Sequence, residues 1–164
     1  KKMILYTTSL RHCFKVVSFF IFLSFSIFNF NYASGNSYLL SEIENNIIRG
    51  AILAEMEIIE AYSASLELTI LDKKNRAIAI YNLKNHKKNI AILRKFILKS
   101  QNSTKFELDY EFPKEDLNTQ KQLTRFLSDM ESSLNIAYKD ALENITNGNL
   151  KSKMNIIINT NKSF

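Results

Sequence analysis

Five residues combine types that can do chemistry with positions on the apolar stripes of predicted helices. Glu55 and Glu131 each lie seven residues before a tyrosine, Tyr62 and Tyr138 respectively. His86 lies on the apolar stripe of another predicted helix. Two carboxylates and an imidazole are a ligand set for iron, manganese or zinc. Glu55, His86 and Glu131 are therefore candidate ligands for a single metal ion.

The same residues also predict a cluster without metal, and this is the interpretation that we favour. Buried charges need hydrogen-bonding partners. We therefore expect His86 at the edge of the core, bonded to Glu55 or Glu131, with Tyr62 and Tyr138 donating to the same carboxylates. In a third interpretation the helix faces that carry these residues do not point inward, and the groups lie in solvent. On the favoured interpretation the protein needs no cofactor and is not an enzyme. The other interpretations leave enzymatic activity open.

Other catalytic chemistry finds no motif in the chain. A Ser-His-Asp triad would need His86, and no Gly-x-Ser-x-Gly turn accompanies it. The glycines, Gly35, Gly50 and Gly148, stand far apart, so none forms a phosphate-cradling loop. Nucleophilic catalysis and nucleotide binding are therefore not expected.

The first 33 residues are typical of a secretory signal peptide. Basic residues precede an uncharged, Phe-rich run at 16–28, and a polar stretch with Ala33 follows. The apolar run has 13 residues, whereas a membrane span takes about 20. We predict cleavage near Ala33 and a periplasmic or secreted protein. Asn31 is larger than the residue expected two positions before Ala33, so a retained anchor is the alternative.

Removal of this leader changes the chemistry of the remaining chain. The one cysteine, Cys13, would leave with it, which excludes disulfides and cysteine-based zinc sites from the mature protein. The whole chain has a net charge of +6, whereas the part after the leader has 18 basic and 16 acidic residues and is nearly neutral. A nucleic-acid partner is therefore not expected.

Residues 37–164 are predicted to form one all-α domain of four helices. With one proline and three glycines in the chain, long helices are permitted. We predict helices at 37–72, 76–99 and 115–145, with Ser41 and Glu44 as a capping box for the first. Asn147-Gly148 should end the third helix, and a short fourth helix carries Leu150, Met154, Ile157 and Phe164 on one face. Residues 101–114 are expected to be a long connection.

The two predicted hairpins resemble each other in sequence and in charge. Glu55, Tyr62, Leu66 and Glu67 match Glu131, Tyr138, Leu142 and Glu143 at an offset of 76 residues, which favours an internal repeat. Each acidic helix is followed by a basic one, and residues 73–100 hold nine Lys or Arg and no acid. This alternation favours packing of the two helices within each hairpin.

The pattern as a whole resembles the ferritin-like four-helix superfamily, in particular its small bacterial members of unknown function. The resemblance covers roughly residues 40–164. It rests on Glu55 with Ala61-Tyr62, on Asn85-His86, and on Glu131 with Tyr138. Di-iron members use lone Glu ligands on two helices and a Glu-x-x-His pair on each of the others. Here Leu83 stands three residues before His86, so an intact di-iron site cannot be assembled and the resemblance implies a degenerate site.

The leading hypothesis is thus an exported, non-catalytic, ferritin-like bundle that acts as a binding or structural module in a bacterial cell envelope. The competing hypothesis is a metal-binding protein that uses Glu55, His86 and Glu131. The expected partner is an envelope protein or surface, and contact with the membrane is expected only through an uncleaved leader. The basic face of the second helix, which could touch anionic headgroups or a surface polymer, is more simply solvated. The short fourth helix leaves one side incomplete, which would favour a homodimer.

Overall fold

The computed structural model describes residues 40–97, 106–160 and 164. Over these residues the chain forms helices α1 (Glu42–Glu67), α2 (Lys73–Ile97), α3 (Gln120–Glu143) and α4 (Gly148–Ile158), with a 3-10 turn at Lys114–Asp116. No β-strand occurs in these ranges. The predicted all-α class is confirmed. The predicted signal peptide lies outside the described residues.

The capping box predicted for α1 is confirmed. The Ser41 hydroxyl accepts from the Glu44 amide, and the Glu44 carboxylate accepts from the Ser41 amide at 2.9 Å. These bonds satisfy N–H groups that a helix start leaves without partners. The helix therefore begins at Glu42, and it ends at Glu67, five residues before the predicted end at Asp72.

The start of α2 is three residues earlier than the predicted one at Arg76. Asp72, placed in the break by the sequence pattern, accepts from the Asn75 amide through its side chain at 2.7 Å and from the Arg76 amide through its carbonyl at 2.9 Å. These are the bonds of an N-cap residue. They bring Lys73 into the first turn.

The third helix is shorter at both ends than predicted. Pro113 leads into the 3-10 turn, and Thr119 then caps α3 by accepting from the Gln122 amide. The helix consequently starts at Gln120 instead of Glu115 and ends at Glu143 instead of Ile145. Residues 106–113 of the predicted connection contain no regular structure.

The Asn147-Gly148 pair has the opposite role to the predicted one. It does not end α3. The Asn147 side chain accepts from the Leu150 amide at 3.0 Å, so Asn147 caps the start of α4, and Gly148 is the first residue of that helix. Asparagine is as favourable before a helix as glycine is after one, and the sequence pattern alone does not separate the two roles.

The helices contact one another in a closed order. α1 packs against α2 and α3, and α4 packs against α3 and α2. Their inward faces form one apolar core, which includes Ile48, Ile52, Leu93, Leu123, Leu127, Leu134, Leu150 and Met154. Each such side chain contributes roughly 1.5–3 kcal/mol through burial. None of the described helices combines the length and apolar character needed to cross a membrane.

Candidate functional site

The structure brings the five residues singled out in the sequence into one cluster. His86 lies at its centre, on α2. Its Nδ1 is 2.6 Å from Oε2 of Glu55 on α1, and its Nε2 is 2.8 Å from Oε1 of Glu131 on α3. The histidine thus bridges the two carboxylates across the core.

The tyrosines donate crosswise between α1 and α3. The Tyr62 hydroxyl, on α1, donates to Oε1 of Glu131 at 2.8 Å. The Tyr138 hydroxyl, on α3, donates to Oε1 of Glu55 at 2.6 Å. Each tyrosine therefore donates to the glutamate of the other helix. The glutamate and the tyrosine are seven residues apart in both α1 and α3.

Asparagines on the inner face of α2 complete the cluster, and sequence reasoning missed them. Asn82 donates to the Tyr62 hydroxyl at 3.0 Å, and Asn89 donates to Oε1 of Glu55 at 3.2 Å. Both are buried. Their helical spacing from His86 was the available signal, but in a chain so rich in asparagine it does not stand out.

Burial of the cluster is more complete than the sequence suggested. Glu55, Tyr62 and His86 are 0% exposed and Tyr138 is 1% exposed, whereas the sequence pattern predicts His86 at the edge of the core. The aromatic ring of Tyr62 stacks with the imidazole at 5.6 Å and with the ring of Phe164 at 6.1 Å between centroids. Phe164 lies beyond the end of α4, so it reaches the cluster from outside the helix to which the pattern assigned it.

The geometry favours a protonated His86. Each ring nitrogen faces a carboxylate oxygen at hydrogen-bonding distance, and a neutral imidazole has only one N–H. Burial by itself would lower the pKa of His86, but the hydrogen bonds to Glu131 and Glu55 and their negative charges outweigh it and raise the pKa to about 9. Burial and the facing carboxylates raise the pKa values of Tyr62 and Tyr138 far above 10.0, so both hydroxyls stay protonated as donors.

His86 has a different glutamate at each ring nitrogen. Within the part of the chain that the structure describes, no group of three or more His, Cys, Asp or Glu side chains could hold a metal ion. If His86 is protonated, its ring has no lone pair to give to a metal. Its nitrogens also point to opposite sides, so that Glu55 and Glu131 do not converge with it on one point.

Comparison with known proteins leaves this geometry as the main guide to function. No protein-family model, no curated protein and no solved structure matches the chain.

Proposed function

We propose that this protein is an exported, non-catalytic helical module of the bacterial cell envelope, a ferritin-like four-helix bundle of two similar hairpins that acts through its surface. One observation carries the proposal. The polar groups that could do chemistry are bonded to one another inside the core, and the central three of them, Glu55, Tyr62 and His86, have no exposed surface.

Catalysis requires a reactive group within hydrogen-bonding reach of a substrate. His86 has both nitrogens engaged by carboxylates, and Glu55 accepts from His86, Asn89 and Tyr138. A substrate would have to displace these partners and enter a filled core. The cluster is therefore better suited to holding helices than to transforming a molecule.

Holding helices in register is the role that the cluster performs best. It joins α1 through Glu55 and Tyr62, α2 through His86, and α3 through Glu131 and Tyr138. A slip of any of these helices by one turn would leave buried charges without partners, at a cost of several kcal/mol. Specific alignment of helices is the best-attested use of such buried polar groups.

Two observations support the ferritin-like assignment: which helices are neighbours, and the crosswise tyrosine bonds. Two hairpins related by a two-fold axis would exchange such bonds in the same way. In that superfamily the inward-facing carboxylates and imidazoles of the bundle bind metal. Here a proton on His86 would offset part of the negative charge of Glu55 and Glu131. The chain would thus retain the scaffold with a proton in the place of a metal.

A single iron, manganese or zinc ion is the second candidate. It is favoured by the meeting of Glu55, His86 and Glu131 in one buried cluster. It would require His86 to lose its proton and at least one carboxylate to rotate, so the geometry favours the first candidate.

Elemental analysis of the protein purified without chelator separates the two candidates. The measurement is made on the wild type, on His86→Ala and on Asn85→Ala. Asn85 is a matched control, because it is buried on the same helix but donates to the Thr160 carbonyl at 3.0 Å, outside the glutamate pair. A metal-free wild type that shows a cooperative unfolding transition supports the scaffold role.

Stoichiometric iron, manganese or zinc in the wild type, kept in Asn85→Ala and lost in His86→Ala, would overturn the proposal. The metal content of the wild type decides the question even if His86→Ala does not fold. That variant leaves the buried Glu55 and the partly buried Glu131 without their shared partner, and we expect it to lose about 3–5 kcal/mol of stability.

A further inference from the structure

The way in which the helices pair separates the basic helices from the acidic ones. α2 and α4 contact each other, and together they carry ten lysines and arginines and no acidic residue. α1 and α3 also contact each other, and they carry ten acidic residues against four basic ones. We call the solvent-facing surface of α2 and α4 the basic side.

The cations of the basic side face solvent and not the acidic helices. All of them are exposed: Lys73, Lys74, Arg76, Lys84, Lys87, Lys88, Arg94, Lys95, Lys151 and Lys153. Among the described residues, none of them forms an ion pair with a carboxylate; the one Lys/Arg–carboxylate pair is Arg125 with Asp129, both on α3. The predicted packing of α1 with α2 is present, but within the described residues it does not use ion pairs between these cations and the acidic residues of α1.

The cations of α2 lie on one broad stripe. At about 100° per residue they fall within a sector of roughly 160° centred on Lys84, and at 1.5 Å per residue they extend for about 33 Å along the helix. Ile80 and Tyr81 lie in the same sector and are 52% and 40% exposed. The surface thus combines a long row of positive charges with two partly exposed apolar side chains.

From this charge separation we infer that the basic side binds the surface of an anionic lipid bilayer, with α2 lying parallel to it. The inference rests on the proposed function, because it names the partner of the surface through which the module acts. Each Lys or Arg near an anionic membrane increases affinity by about fivefold. The acidic side, on α1 and α3, would be repelled, so the molecule would bind in one orientation.

The apolar side chains favour a bilayer over a soluble polyanion. On a helix that lies in the interface, exposed apolar residues enter the headgroup region between the basic residues, and Ile80 and Tyr81 lie where this would occur. Single-stranded nucleic acid would instead require several aromatic rings on which bases stack. Tyr81 is the only exposed aromatic residue of α2.

The test is co-sedimentation of the full chain with phosphatidylglycerol–phosphatidylcholine vesicles, compared with phosphatidylcholine alone. Two triple variants remove equal charge. One replaces Lys84, Lys87 and Lys88 with Gln on α2; the control replaces Lys121, Arg125 and Lys139, which are equally exposed on α3. Any membrane affinity of the residues outside the described ranges is shared by both variants, so their difference reports the basic side.

We expect the α2 variant to lose roughly 100-fold in partitioning to anionic vesicles, at about fivefold for each charge, and the α3 variant to change little. The wild-type affinity should fall as salt is raised. Ile80→Ser should weaken binding further, whereas Ile136→Ser, at a side chain 56% exposed on α3, should not.

Equal partitioning of the two triple variants overturns the inference. So does binding of a soluble polyanion such as heparin with no preference for anionic vesicles and no effect of Ile80→Ser. Either result leaves the proposed function standing with another partner, because that proposal fails on the metal content and not on vesicle binding.

Discussion

His86 lies between two carboxylates, and a proton on its ring would place a positive charge between them. Removing three charged groups from water costs several kcal/mol for each, and the attraction between them repays this only when the remaining lone pairs are also satisfied. Tyr138 and Asn89 provide donors for Glu55, and Tyr62 provides one for Glu131. The tyrosines are thus needed to satisfy the carboxylates of Glu55 and Glu131 with hydrogen bonds.

A double-mutant cycle on Tyr138 and Glu55 measures this requirement. Tyr138→Phe removes a hydrogen bond of 2.6 Å to a buried carboxylate, and bonds to charged groups are worth about 1.5–3 kcal/mol. In Glu55→Gln the acceptor is neutral, so the same tyrosine substitution should cost clearly less. Denaturant unfolding of the four proteins gives the coupling free energy.

Tyr62→Phe is the matched comparison for that cycle. It should destabilise at least as much as Tyr138→Phe, because the Tyr62 hydroxyl also accepts from Asn82 at 3.0 Å. Losses below about 0.5 kcal/mol for both tyrosines, the size of an ordinary surface substitution, would contradict the account of the cluster.

Helix ends are joined by a second buried carboxylate. Besides capping α1, the Glu44 side chain accepts from the Thr146 amide at 2.9 Å and the Asn147 amide at 2.7 Å. These two amides belong to the loop between α3 and α4. One residue therefore ties the start of α1 to the segment that holds Asn147, the N-cap of α4.

Glu44→Ala tests this tie at the scale of the elements. It should lower the free energy of unfolding by about 2–4 kcal/mol, because it removes the capping box and the bonds of a charged acceptor to two partly buried amides. Glu42→Ala is the control, in the same first turn but exposed, and should cost no more than about 0.5 kcal/mol. Similar losses in thermal unfolding for the two variants would show that Glu44 does not tie the elements.

For the whole molecule, the two buried sites predict opposite dependences of stability on pH. The pKa of His86 is raised from 6.5 to about 9, so its contribution is complete below about 6.5 and is lost as the pH rises through about 9. Although burial opposes ionisation of Glu44, hydrogen bonds from Asn147, Ser41 and Thr146 lower its pKa below 4.5. Its contribution is present above that value and is lost as the pH falls through the lowered pKa.

Stability should therefore be greatest between about pH 4.5 and 6.5 as far as these groups determine it. Above that window the free energy of unfolding should fall by up to about 3 kcal/mol before pH 10. Denaturant unfolding at a series of pH values measures the fall, and an NMR titration of the His86 ring identifies its source. An imidazole that titrates at 6.5 or below would show that the two carboxylates do not stabilise the imidazolium.

Much of the local structure follows from the sequence. Apolar positions at spacings of three and four predict the helices and their inward faces, and Ser41 with Glu44 predicts the start of α1, because these features depend on residues within one or two turns. The same periodicity places Glu55, His86 and Glu131 on inward faces. The helix starts at Lys73 and Gln120 and the role of Asn147-Gly148 differ from the prediction, since asparagine, aspartate and threonine are compatible with both breaks and caps.

Only the tertiary structure decides what each inward face meets. Periodicity does not reveal that Tyr62 donates to Glu131 and Tyr138 to Glu55, or that Asn82 and Asn89 turn inward to complete the cluster, because these contacts join residues on different helices. The same holds for the charges. The sequence shows that acidic and basic helices alternate, but α2 lies beside α4 and α1 beside α3. This arrangement places the ten cations of α2 and α4 next to one another.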